Sequence, residues 1–228
     1  MSLNPKIVQL RQLLSQRFPG ARFSAETADK TIAVWPTGIA QIDNLLHGGL
    51  PKSGIIEIVS GRKNSGSALF ISALLRKGAA ENQIITLIDG QDSFDPCAFE
   101  QETLARLLWV RCKNASEAMK AVDLILRDRN LTLVLLDLAL NPAKQLRKIP
   151  LSTWYRLQRI AEITSTIFVV VTPQAMVGCA EVRLNLSGRF ALEDLETEQF
   201  RLLEKLKADL TQHRLRLADV PEEKAEAG

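Results

Sequence analysis

Cysteine and long apolar runs are scarce in this sequence, and each shortage argues against a class of protein. Cys97, Cys112 and Cys179 are odd in number, form no Cys-x-x-Cys pair, and have only His47 and His213 as co-ligands. That argues against a disulfide scaffold or a zinc site, and a reducing cytoplasm is the expectation, with no metal and no cofactor. The longest apolar stretches, residues 131–140 (interrupted by Asp137) and 167–171, fall well short of the roughly 20 residues of a membrane helix. The opening, residues 1–6, has no apolar run beside basic residues, so no signal peptide and no membrane partner are expected. What remains, 228 residues at 46% hydrophobic and 24% charged, suits one α/β domain with short extensions.

Net charge is only +3, but it is unevenly placed. Residues 111–160 hold ten basic side chains against four acids, whereas residues 218–228 hold four acids against one lysine. A basic middle can track a phosphate backbone, or it can be the solvated face of surface helices. Lys144, Arg147 and Lys148 are the candidates for non-specific DNA contact.

Apolar spacing predicts a helix over residues 5–17, ended by Pro19-Gly20, and a polar linker over 24–30. Strands are predicted at 55–60, 84–89, 108–111, 131–137, 166–172 and 182–186, with helices at 67–80, 116–127 and 152–163. Strands apolar nearly throughout and separated by helices imply a mostly parallel central sheet with helices on both faces. Leu195, Leu202, Leu203, Leu206 and Leu210 fall on one side of a long helix predicted from 192 to 217. That stripe, like most such stripes, packs on its own domain or else binds a partner. The expected organisation is therefore an N-terminal helix and linker (1–36), a core (37–190), a C-terminal helix (191–217) and a disordered acidic tail (218–228).

The strand at 55–60 runs into Gly61-Arg62-Lys63-Asn64-Ser65-Gly66-Ser67-Ala68 and then a helix. Glycines at the first and sixth positions suit a phosphate-binding loop, whose full pattern is GxxxxGK[ST]. Backbone N–H groups cradle phosphate oxygens, the lysine neutralises charge and the hydroxyl holds magnesium. Here Ser67 and Ala68 stand at those last two positions, so both charge-handling groups are absent. Lys63 either reaches a phosphate from earlier in the loop or faces solvent.

The surroundings of this loop resemble RecA-family recombinases. The lead-in Thr37-Gly38-Ile39-Ala40-Gln41-Ile42-Asp43 with Gly48-Gly49-Leu50-Pro51, the stretch Leu87-Ile88-Asp89-Gly90-Gln91-Asp92, the strand 133–137 ending in Asp137, and 181–186 all occur in family order. The resemblance covers residues 37–190 and implies a RecA-like P-loop core flanked by N- and C-terminal helices. It also marks departures. The glutamate that activates water in the family aligns with Gln91, and an amide cannot take a proton as a carboxylate does. Asp137 aligns with the magnesium-side aspartate, or serves as a hydrogen-bonded strand end. The resemblance thus implies no enzyme, only a degenerate pseudo-ATPase. Phe18 and Ala21 fit the Phe-x-x-Ala pattern that relatives insert into a neighbour, or else pack on the chain's own core.

Size, degenerate loop and leucine-rich C-terminus together resemble ImuA-type translesion mutagenesis accessory proteins, a family also described as SulA-like. That implies a non-catalytic adaptor in DNA damage tolerance and SOS mutagenesis, partnered by an ImuB-like polymerase subunit or RecA, with DNA as a further ligand. The alternatives are a nucleotide-dependent ATPase switch using Lys63 and Asp137, and a cell-division inhibitor.

Overall fold

In the computed structural model, residues 33–61, 65–190, 194 and 199–214 are described. They lie in one compact unit spanning Ile32–Leu217. In chain order come β1 (Val34–Trp35), α1 (Ala40–Leu45), β2 (Leu50–Pro51), β3 (Ile55–Val59), α2 (Ser67–Ala80), β4 (Ile85–Asp89), a 3-10 turn (Pro96–Ala98) and α3 (Gln101–Leu104). They are followed by β5 (Leu107–Arg111), α4 (Ala115–Ile125), β6 (Leu133–Asp137), α5 (Ala143–Leu146), α6 (Leu151–Thr164), β7 (Ile167–Thr172), β8 (Val182–Leu186), α7 (Gln199–Glu204) and β9 (Ala208–His213).

Seven strands form one sheet in the order β5-β4-β6-β7-β3-β8-β9. All neighbours are parallel except β8 and β9. Every residue of β3, β4 and β7 is buried, as expected of strands covered on both faces. On one face Phe70, Leu74 and Leu75 of α2 meet Ile56, Ile58, Leu87 and Leu135. On the other, Val122 of α4 and Trp154 and Leu157 of α6 meet Ile88, Leu136, Phe168 and Val170. Because β3, β4, β6 and β7 run in parallel, their following loops gather at one edge of the sheet, where ligand sites of such folds form.

The Thr37–Asp43 stretch has a local physical reason. Asp43 accepts hydrogen bonds from Thr37 N (2.8 Å), Thr37 Oγ1 (2.7 Å) and Gly38 N (3.0 Å), which ties the chain entering α1 to the helix itself. Gly49 sits at φ +135°, and a Cβ there would come within 2.2 Å of the Trp35 carbonyl oxygen. The β1–β2 ribbon therefore requires glycine at that position.

The C-terminal expectation needs correction. Among the described residues of 191–217, one short helix, α7, is followed by strand β9 paired antiparallel to β8. The leucine spacing fits a helix, but β8 offers an unpaired edge, and satisfying that row of backbone groups outweighs local propensity. Ala208, Leu210 and Gln212 are half-buried while Asp209 and Thr211 are exposed, the period-two alternation of a strand. Leu206 is fully buried in the core and Leu210 packs against it, so neither belongs to a free partner-binding stripe. The expected core boundaries move as well, because β1 begins before residue 37 and β9 lies beyond 190. The N-terminal helix, the linker and the acidic tail lie outside the described residues.

Candidate functional site: a remodelled phosphate loop

β3 delivers the chain into the loop, and Gly66, at φ +100°, starts α2 in a left-handed conformation that favours glycine. The space around Gly66 is also filled. A methyl there would lie 2.3 Å from Leu206 Cδ1 and 3.0 Å from Phe190 Cε2. The C-terminal segment therefore rests directly on the loop. Ser67, at the family's lysine position, has its hydroxyl 3.2 Å from Ser60 Oγ, and Ser60 and Ser65 share a 2.6 Å hydrogen bond. Three neutral hydroxyls stand where a phosphate site concentrates positive charge. Ala68 is exposed and offers nothing to a metal ion.

Gly61, Ser67, Ala68 and Asp137 line one cavity of about 740 Å³. Its far wall is apolar, built by Ile71, Leu87, Phe94 and Phe99. That wall is braced: Phe94 packs on Phe99 and Trp109 at centroid distances of 5.1 and 5.2 Å, and Arg76 of α2 pairs with Glu100 at 2.5 Å. Asp137 closes β6 and accepts a hydrogen bond from Ala139 N at 2.9 Å. Burial pushes its carboxyl up to about 6; the Ala139 bond opposes the rise and the Asp89 charge adds to it. Asp89 is Asp137's partner across the β4–β6 ladder, and its own oxygens accept from Gln91 N, Ser93 N, Ser93 Oγ and Phe94 N.

Gln91 is exposed and is not among the cavity-lining residues; its Oε1 accepts from Asn141 Nδ2 at 3.2 Å. The sequence reading missed Asn141 and Asp89 as organisers of this rim. Asp89 lay inside the matched stretch, but nothing local showed that it would bind three backbone N–H groups of its own loop. Among the described residues no three His, Cys, Asp or Glu side chains gather as a metal site.

Lys144, Arg147 and Lys148 are brought together around α5, all exposed and none ion-paired among the described residues. Elsewhere in the basic middle three side chains are ion-paired, Arg111 with Asp92 and Arg127 and Arg156 with Asp123. The loop after β7 is held shut. Glu57, fully buried in β3, accepts from Thr172 Oγ1 (3.0 Å), Met176 N (2.8 Å), Val177 N (3.1 Å) and Arg183 Nε (2.6 Å). Lys63, Phe18, Ala21 and Leu195 lie outside the described residues; Leu202 is half-buried.

No helix among the described residues is long and apolar enough to cross a membrane. No family model matches the sequence, and no curated protein matches it. Among solved structures, the chain is similar to the crystal structure of the RadB recombinase, at 17% identity and a TM-score of 0.56. The match covers 79% of this chain and 90% of that one. It shows the fold, a RecA-like α/β core, at a distant level.

Proposed function

We propose that this RecA-like core is a non-catalytic adaptor in DNA damage tolerance, binding a translesion polymerase subunit or RecA, with DNA as a second ligand. The observation that carries the reading is the chemistry of the loop. Ser67 accepts from Ser60 Oγ and brings no positive charge, Ala68 carries no hydroxyl, and Asp137 faces the cavity with no described cation beside it. Phosphoryl transfer depends almost wholly on positioned positive charge, and none of these three positions supplies any. Loss of hydrolysis with retention of the sheet leaves surfaces as the working parts, and the three unpaired cations at α5 supply one for phosphates.

The expected outcome is no ATP hydrolysis above background with or without single-stranded DNA, and a stable complex with the polymerase subunit or RecA by size exclusion. Steady turnover by the native chain, abolished in Asp137→Ala, would overturn the reading.

A further inference from the structure

The cavity beside the remodelled loop has a charge balance opposite to that of a phosphate site. Asp137 and Asp95 both line it, and no lysine, arginine or histidine stands among its described lining residues. Its volume of about 740 Å³ lies in the range of small-molecule sites, roughly 300–1,000 Å³. We propose that it takes an organic cation, a protonated amine or a guanidinium carried on an apolar body. The inference deepens the reading of this loop as a non-catalytic remnant and rests on it.

The carboxylate end is only partly committed. Asp137 accepts from Ala139 N at 2.9 Å, and among the described residues no donor reaches its second oxygen. Ser67 Oγ accepts from Ser60 and keeps another lone pair for an N–H donor. Asp95, exposed on the lining, accepts from Cys97 N at 2.9 Å and also has an oxygen to spare. The opposite wall suits the body of such a ligand. Ile71, Leu87, Phe94 and Phe99 are apolar, and Leu140, also in the lining, is 61% exposed, a surface that a bound body would cover. The aromatic cluster already draws guanidinium groups: Arg76 lies 5.4 Å from the Phe99 centroid and Arg111 4.9 Å from that of Trp109. Phe94 packs on both rings and lines the cavity, so it presents the same kind of surface to a ligand cation. A bare metal ion fits this donor set poorly. Ala68 offers no oxygen, Asp89 spends its oxygens on its own loop, and hard cations need several oxygens together.

The test titrates the full chain by calorimetry with phenylpropylamine, phenylpropanol and phenylpropionate, which share one body and differ in charge. The amine is expected to bind at least about tenfold tighter than the alcohol, and the carboxylate more weakly than either. Asp137→Asn brings the amine to the level of the alcohol and leaves the alcohol unchanged. Ala68→Trp, at an exposed position on the lining, abolishes binding of both. An end-capped arginine tripeptide identifies the source: affinity near that of the amine assigns a protein side chain, and binding of the amine alone assigns a free small molecule; either supports the site. Equal affinity for amine and alcohol, tighter binding of the carboxylate, or unchanged amine binding in Asp137→Asn overturns it. So does a gain of about tenfold or more in amine affinity in Arg62→Ala with Lys63→Ala, because the loop's own cations would then already serve Asp137. No binding of any probe, with no ATP hydrolysis, overturns the cation site alone. Magnesium-ATP that displaces the amine and is hydrolysed overturns the non-catalytic reading as well.

Discussion

A part-buried carboxylate with no described cation beside it is unfavourable in its charged form, and Asp137 is such a group. Its raised value means that the folded chain holds this proton more tightly than the unfolded chain. Stability therefore falls as pH rises from about 3.8 to about 6 and stays lowered above that window. Asp137→Asn keeps the acceptor for Ala139 N and removes the charge. The variant is expected to be more stable than the parent at pH 7.5 by up to about 3 kcal/mol, and no more stable at pH 4. Urea denaturation at both pH values reads the difference; an equal gain at both would point to packing instead of charge. The same site supports a stepwise repair. Ser67→Lys with Ala68→Thr is expected to restore binding of magnesium-ATP, seen as a rise in melting temperature, without turnover. Adding Gln91→Glu, whose oxygen can still accept from Asn141, is expected to yield slow hydrolysis, because general-base help is worth about 10²–10⁴-fold.

At the level of elements, two devices shape what the core can do. The first is the lock on the loop after β7. Arg183 donates to Glu57, to the Val177 carbonyl (2.9 Å) and to Gln212 Oε1 (2.7 Å), so a single guanidinium ties β3, that loop, β8 and β9. Arg183→Ala leaves Glu57 buried and unpaired and is expected to cost about 3–5 kcal/mol in chemical denaturation. The second is β9. Truncation after Leu192 strips β8 of its partner and removes Leu206 from above Gly66. The expected product is insoluble or lacks a near-ultraviolet circular dichroism signal; a soluble, well-ordered truncated chain would contradict the pairing described here.

The sheet joins every large element of the described unit, so no part of it has a core of its own to fall back on. Three tryptophans report on it from different places. Trp35 lies in the layer under α2, Trp154 in the layer under α4 and α6, and Trp109 on edge strand β5. Variants that keep one tryptophan at a time are expected to give coincident urea transitions, the behaviour of one cooperative unit. A separate, earlier transition for Trp109 would show that the β5 edge opens independently.

Much of this organisation was legible residue by residue. Apolar runs at 131–137 and 166–172 anticipated β6 and β7 to within two residues, because strands buried on both faces admit little else, and alternation at 182–186 anticipated β8. The cavity's Gly61, Ser67, Ala68 and Asp137 were legible too, since the loop pattern and its omissions are local in sequence. Glu57 was not: inside an apolar strand it carries no sign that Arg183, 126 positions later, will reach it. Nor was β9, whose leucines suit a helix equally well. The chain's own pattern determined which segments are strands or helices wherever both faces of an element are buried and one periodicity satisfies them. Only the tertiary structure decided the ambiguous ones, because an open edge on β8 and a bare glycine at 66 are properties of the assembled sheet, and their unsatisfied backbone and surface select the conformation that covers them.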